Sequence, residues 1–321
     1  MRAIRPAAPG GSEVLTVSDA ELPLPGPGQV RVDVAYAGVN FIDVYRRTGQ
    51  YPLPAPLPLG REGAGTVAAV GPGVALAVGD RVAWADAGGS YAEAVNVAAD
   101  KLVPVPAGVG LDVAAATMLQ GLTAHYLATS TFALGPGTAC LIHAAAGGVG
   151  LLLCQLARAA GADVLGTVSS DAKAALARAA GCHHPIRYDR DDFVAAVRAI
   201  HPGGVDVVYD SVGKTTFERS LDCVRPRGLV ALFGQSSGAV PPIDLQVLSR
   251  KGSLFVTRPT LGHHVATRAE LEQRAADLFG RIAAGALDVR IDRVVPLAEA
   301  AEAHRALESR ATSGKILLAT R

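Results

Sequence analysis

Thr138-Ala-Cys-Leu-Ile-His143 is a short apolar run, Ala144-Ala-Ala-Gly-Gly-Val-Gly150 follows it, and Leu151 to Ala160 then repeats its apolar positions at helical spacing. This pattern predicts a strand, a glycine turn and a helix. Gly161 to Val168 supplies a second strand where a βαβ unit needs one. Val205 to Tyr209, Gly228 to Phe233 and Ser253 to Val256 read as further strands, separated by helical patterns at Asp171 to Ala180, Asp191 to Ile200 and Thr215 to Val224. Alternation of this kind predicts a doubly wound parallel sheet and an α/β fold.

The flanks read differently. Up to Leu119 the chain shows short β runs broken by Gly and Pro: Val30 to Val34, Gly65 to Val70, Asp80 to Trp84 and Tyr91 to Val97, consistent with a small antiparallel barrel. Asn40-Phe-Ile-Asp43 reads as a polar-capped turn into a short helix, and Tyr51-Pro-Leu-Pro-Ala-Pro-Leu-Pro58 as an extended loop. Asp112 to Tyr126 turns helical and leads into the middle domain. After Val256 come a helix at Arg268 to Ala284, a strand at Val289 to Val295, a helix at Ala298 to Ser309 and a strand at Lys315 to Leu318. This tail is expected to pack back on the N-terminal part, giving residues 1–121 with 259–321 as one domain and 122–258 as the other. An active site is then expected in the cleft between them.

Composition narrows the function. The 321 residues and 50% hydrophobic content suit two domains with a large core. A net charge of +1 and 5% aromatic content offer no basic stripe with interleaved aromatics for nucleic acid. No apolar run reaches membrane-spanning length and no signal-peptide segment opens the chain, so a cytoplasmic location is the expectation. The four cysteines lack metal-ligand spacing and read as buried thiols. His183-His184 and His263-His264 are adjacent pairs whose side chains point apart in regular structure, so no metal site is expected. No carboxylate pair, Ser-His-Asp set or Cys-His pair suggests hydrolysis.

The glycine turn carries the chemistry. Its spacing, Ala145-x-Gly147-x-x-Gly150, is that of a dinucleotide-binding turn lacking the first glycine; such turns bring backbone N–H groups and a helix N-terminus against a pyrophosphate. An ordinary tight βα turn has the same local pattern. NAD-preferring sites place Asp or Glu about 20 residues onward, at the ribose 2′-OH. Here the second strand ends in the neutral Thr167-Val-Ser-Ser170.

The small β domain, the AAxGGVG turn and Gly60-Arg-Glu-Gly-Ala-Gly65 together resemble the medium-chain dehydrogenase/reductase superfamily. Arg61 stands where the zinc-dependent branch has a histidine ligand, and arginine offers no lone pair. Val39-Asn-Phe-Ile-Asp43, Tyr51-Pro52, Leu119-Gln-Gly-Leu-Thr123, Val208-Tyr-Asp-Ser-Val-Gly213, Gly252-Ser-Leu-Phe-Val-Thr-Arg-Pro259 and Glu308-Ser-Arg-Ala311 extend the resemblance to the zinc-independent quinone oxidoreductases of zeta-crystallin type along the whole chain. Thr138 and Gln235 depart from the family pattern.

That resemblance implies a Rossmann-type domain plus a GroES-like catalytic domain, NADPH as cofactor, a quinone as small-molecule substrate, no metal, no nucleic acid or membrane partner, and a homodimer built on the strand at Ser253 to Val256. It implies Asn40 and Tyr51 as catalytic residues. As cofactor contacts it implies Asn40, Asp43, Tyr126, Gly147, Gly148, Val149, Thr167, Ser169, Lys173, Tyr188, Ser211, Phe233, Gly234, Gln235, Phe255, Val256, Thr257 and Arg310. Each has a plainer reading: Asn40 as turn-former, Tyr51 as a tyrosine packed on prolines, Tyr126 as helix packing, Lys173 as a solvated helix residue, Ser211 as part of a cap. Asp171 weakens the NADPH preference if it faces the 2′-phosphate. An NADPH-dependent alkenal or enone reductase is the alternative enzyme, and an NADPH-responsive RNA-binding protein the alternative outside enzymes.

Overall fold

The computed structural model describes all 321 residues. The chain divides into two compact units, Met1–Leu122 with His264–Arg321 and Thr123–His263. Helix Leu111–Tyr126 carries it from the first to the second.

The second unit holds six parallel strands in the spatial order His184–Arg187, Asp163–Val168, Ala139–Ile142, Val205–Asp210, Val224–Leu232, Phe255–Thr257. The first three are laid down in one direction and the last three in the other, so Ala139–Ile142 and Val205–Asp210 flank a switch point. Parallel strands are covered on both faces, which is why they read as unbroken apolar runs. Leu141, Leu165, Val208 and Val230 are fully buried in one core with Phe193 and Phe217.

Helix Gly148–Ala159 starts three residues before the predicted Leu151, because Gly147 takes extended backbone (φ −78°, ψ 174°) and caps it. The N–H groups of Gly148 and Val149 therefore belong to the helix N-terminus itself. The predicted helix Thr215 to Val224 shortens to Phe217–Ser220. Left-handed Gly213 (φ 87°) and the bond from the Thr216 hydroxyl to Asp210 hold the preceding residues in a turn.

In the first unit a seven-stranded sheet runs in the order Ile291–Pro296, Lys315–Ala319, Gln29–Val39, Glu62–Val70, Arg81–Ala85, Leu102–Pro104, with Ala94–Ala98 also paired to Gln29–Val39. The C-terminal strand lies antiparallel to Gln29–Val39, with Ile316 opposite Val39. Val30, Val32, Val34, Trp84 and Leu318 fill the core. A two-stranded ribbon, Arg2–Ile4 with Val17–Asp19, was not evident in the sequence pattern because three residues show no periodicity. No helix is long and apolar enough to cross a membrane.

Candidate functional site

At the carboxyl ends of the six parallel strands the sheet register gathers most of the residues implied for the cofactor. Thr167 pairs with Ile186, Val168 with Arg187, Asp210 with Leu232, and Ala231 with Thr257. Gly147, Gly148, Val149, Ser169, Ser211, Phe233, Gly234 and Gln235 are each half-buried at that edge, and Tyr188 is exposed. Crevices of this kind, at a switch point, are where α/β sheets bind nucleotides.

The turn is braced from beneath. The Thr167 hydroxyl accepts the Ala144 N–H (3.2 Å) and bonds His143 Nδ1 (3.0 Å); His143 Nε2 bonds Ser220 Oγ (3.0 Å), which donates to Asp210 Oδ2 (3.0 Å). Burial pushes the His143 pKa below its ordinary value, so the ring is neutral and links the strand ends across the switch point. Thr167, 2% exposed, thus supports the turn, and its hydroxyl is already engaged; the implied cofactor contact gives way to this bracing role. Asp210 accepts the N–H groups of Val212 and Gly213, shaping the loop that carries Ser211.

Ala144 sits at φ 54°, a left-handed conformation that disfavours a side chain. Ala144→Gly is expected to raise stability by about 1 kcal/mol in guanidinium unfolding. An unchanged or lower midpoint would contradict that strain.

Beside the turn, Ser170 caps helix Asp171–Ala179 by accepting the Lys173 N–H (3.2 Å). Asp171, the first acidic group past the second strand, bonds Arg187, which also grips Asp189 through two bonds of 2.8 and 2.7 Å. Tyr126 is 2% exposed, and burial raises its phenol pKa. Phe255 and Val256 lie on the sheet's edge strand, 62% and 37% exposed, two and one positions before Thr257.

The first unit holds a second polar assembly. Three strand ends meet there: Gln29–Val39 ends at Asn40, Glu62–Val70 begins at Glu62 and Lys315–Ala319 begins at Lys315. Lys315 Nζ donates to Asn40 Oδ1 (2.7 Å) and to Glu62 Oε2 (2.5 Å). Asn40 Nδ2 donates to Glu62 Oε2 (2.9 Å) and to the Gly38 carbonyl (3.3 Å), and Glu62 Oε1 accepts the Leu119 N–H (2.6 Å). A Cβ on Gly38 would lie 2.1 Å from Glu62 Oε2, so the glycine makes room for the carboxylate. Both amide hydrogens of Asn40 are engaged, and what it presents is a fixed amide with one further lone pair.

Asp43, implied as a cofactor contact, is instead fully buried. Its carboxylate accepts the N–H groups of Asn40 (3.0 Å) and Gly60 (3.2 Å) and the Tyr91 hydroxyl (3.4 Å), so it holds the turn rather than facing a ligand. Tyr91 also bonds His304 Nε2 (3.0 Å), and Arg47 donates to His304 Nδ1 (3.2 Å) and pairs with Glu308. Tyr51 stacks edge-on against Tyr45 at 5.4 Å in the loop after helix Phe41–Arg47. Arg310 is exposed just past helix Ala300–Glu308, in a left-handed conformation (φ 60°).

Burial raises the Asp43 pKa from 3.8 to about 7, against the opposing Asn40 N–H, Lys315 and Arg46 and with a smaller push from Glu62. Burial, with Arg47 adding to it, lowers that of His304 from 6.5 to about 3. Folded Asp43 keeps a proton that the unfolded chain releases, so its contribution is full below pH 3.8 and is lost as pH rises through about 7. Folded His304 refuses a proton that the unfolded chain takes, so its contribution is full above pH 6.5 and is lost as pH falls toward about 3. The two slopes oppose each other where the windows overlap. Asp43→Asn is expected to make stability climb more steeply with pH over that overlap, and His304→Gln to make it fall with rising pH. Guanidinium unfolding across the range checks this; three parallel profiles would contradict it.

No group of three or more His, Cys, Asp or Glu side chains is arranged to hold a metal ion. Arg61, at the position of a histidine ligand in zinc-dependent relatives, forms an ion pair with Asp86, and the four cysteines are buried thiols in the second unit. The donor set does not fit a catalytic zinc. His183 and His184 do not point apart as expected: both reach Asp163, at 3.1 and 3.3 Å, together with His201 at 2.9 Å. His183 precedes strand His184–Arg187 and lies in a turn, where strand alternation does not apply.

Residues 26–107 match the alcohol dehydrogenase GroES-like domain and residues 148–281 the zinc-binding dehydrogenase family. The chain is 49% identical to a quinone oxidoreductase of Pseudomonas aeruginosa over 97% of each chain. It is 44% identical to a 2-haloacrylate reductase of a Burkholderia species over 96% of each. The fold superposes on that of Escherichia coli quinone oxidoreductase complexed with NADPH with a TM-score of 0.98, at 44% identity and full coverage of both chains.

Proposed function

The chain belongs to the quinone oxidoreductase family of the medium-chain dehydrogenases/reductases, and on that premise we propose that it reduces quinones with NADPH, without zinc. A reduced nicotinamide supplies the hydride when bound. The chain's own residues do the rest. Gly148 and Val149 offer helix N-terminal N–H groups to the pyrophosphate, and the brace under Ala144 keeps that turn rigid. Ser169, Lys173 and Tyr188, all in the second unit, take the 2′-phosphate. Ser211, Phe233 to Gln235 and Thr257 line the strand ends toward the nicotinamide, with Tyr126 beside them. Asn40, fixed by Lys315 and Glu62, sets the shape of the acceptor pocket, and the Tyr51 hydroxyl donates to the reduced quinone oxygen.

The observation that carries the cofactor choice is the neutral end of the second strand, with Asp171 bonded to Arg187. Hydride transfer to an electron-poor acceptor needs positioning and hydrogen-bond donors more than an acid–base pair. NADPH oxidation with 1,4-benzoquinone, 1,2-naphthoquinone and a 2-alkenal, each repeated with NADH, tests the reading. Turnover of quinones with NADPH well above NADH supports it; equal kcat/KM for both nucleotides overturns the cofactor choice. The likeness to a 2-haloacrylate reductase favours a second reading, reduction of activated C=C bonds, which preference for the alkenal would establish.

The edge strand Phe255–Thr257 pairs on one side only and exposes Phe255 and Val256. We read it as the surface that joins two copies in a cytoplasmic homodimer; light scattering giving the mass of one chain would refute this.

A further inference from the structure

We propose that Arg187 sets the preference for a 2′-phosphate by holding and neutralising Asp171, without touching the phosphate itself. This rests on the NADPH reading above and adds a residue to it.

The acid that would reject a 2′-phosphate belongs near the end of the second strand. This chain has Ser169 and Ser170 there, but Asp171 opens the next helix immediately afterwards, 77% exposed and ionised, with Arg187 holding its pKa below the usual carboxylate range. Left alone, that carboxylate repels a phosphate.

Arg187 ends the neighbouring strand, opposite Val168. Its Nε and Nη2 form a fork on Asp189 at 2.8 and 2.7 Å, which fixes the guanidinium and leaves Nη1 to bond Asp171. The Arg187 side chain is only 13% exposed, so the arginine is the anchored partner and Asp171 the one drawn to it. Arg190 Nη2 lies 3.6 Å from the other Asp171 oxygen. Two arginines and two aspartates cancel, and Lys173 on the same helix leaves the corner with one net positive charge. Without Arg187 that charge becomes zero and Asp171 loses its bonded partner. Removing Arg187 and the Asp171 charge together restores one positive charge.

The double-mutant cycle reads this directly. Calorimetric titration with 2′,5′-ADP and with 5′-AMP isolates the phosphate and needs no turnover. Arg187→Met is expected to weaken 2′,5′-ADP roughly tenfold while leaving 5′-AMP unchanged, the scale of one solvent-screened charge a few ångströms from the phosphate. Asp171→Asn binds 2′,5′-ADP at least as tightly as wild type, and the double variant returns to within about twofold of it. Arg187→Lys, which keeps the charge, retains most of the discrimination, and near-ultraviolet circular dichroism confirms that each variant is folded. A double variant as weak as Arg187→Met shows that Arg187 itself binds the phosphate and overturns the proposal, as does an unaffected Arg187→Met. Wild type without preference for 2′,5′-ADP overturns the NADPH reading and this inference with it; preference with a failed cycle overturns this inference alone.

Discussion

Lys315→Met is expected to lower the folding stability of the first unit by about 3–5 kcal/mol, because it leaves a buried carboxylate without its cation. Lys315 and Glu62 are 1% and 0% exposed, and the ammonium lies 2.5 Å from Glu62 Oε2 and 2.7 Å from Asn40 Oδ1. Once the lysine is gone, the Glu62 charge retains only the N–H of Leu119 and the amide of Asn40. Adding Glu62→Gln should recover much of the loss, since no unpaired charge remains: the amide oxygen keeps the Leu119 N–H, and the amide NH2 turns to Asn40, whose Oδ1 the lysine has vacated. Guanidinium unfolding of wild type, Lys315→Met and the double variant decides the matter. A single variant within about 1 kcal/mol of wild type, or a double no better than the single, would mean that the pair is not formed as described.

That ion pair also shows where sequence reading stops. Its partners stand 253 positions apart, and neither local period nor motif links them; the antiparallel pairing of both Lys315–Ala319 and Glu62–Val70 with Gln29–Val39 brings them together. The parallel sheet was legible because strands covered on both faces leave apolar runs, and glycines punctuate the turns between them. Strand Gln29–Val39 was legible only from Val30 to Val34, where apolar and polar residues alternate; its second half, Ala35-Tyr-Ala-Gly-Val39, has no such alternation. The candidate site divides in the same way. The glycine turn and neutral second-strand end were visible as local strings. The engagement of Thr167 by His143, the burial of Asp43 under Tyr91 and the hold of Arg187 on Asp171 depend on neighbours from other strands. The family resemblance implied a ligand contact for Thr167 and Asp43, while the fold gives each internal partners that no local string shows.

Gly150→Ala is expected to abolish useful nucleotide binding, weakening NADPH by roughly 100-fold or more and lowering stability by about 3 kcal/mol. An added Cβ would lie 2.3 Å from the Ala144 carbonyl oxygen and 2.8 Å from the Cα and carbonyl carbon of Ala145. These are backbone atoms, and they cannot yield one at a time. The Ala144 N–H is bonded to the Thr167 hydroxyl, the Ala145 N–H to the Thr167 carbonyl and the His143 N–H to the Tyr209 carbonyl. The helix cannot easily retreat either, since Leu151, Leu152, Leu153 and Leu156 are buried behind it. The clash is therefore relieved only by distorting the first turn of the helix, and with it the N–H groups of Gly148 and Val149 proposed to bind the pyrophosphate. Gly147→Ala provides the contrast: Gly147 has φ −78°, and an added Cβ meets only the Ala144 carbonyl, at 3.1 Å. Its loss should be smaller by at least about tenfold in NADPH affinity, measured by fluorescence titration on folded protein. If Gly150→Ala binds NADPH within about threefold of wild type, the close approach of turn to helix is not what forms the nucleotide site.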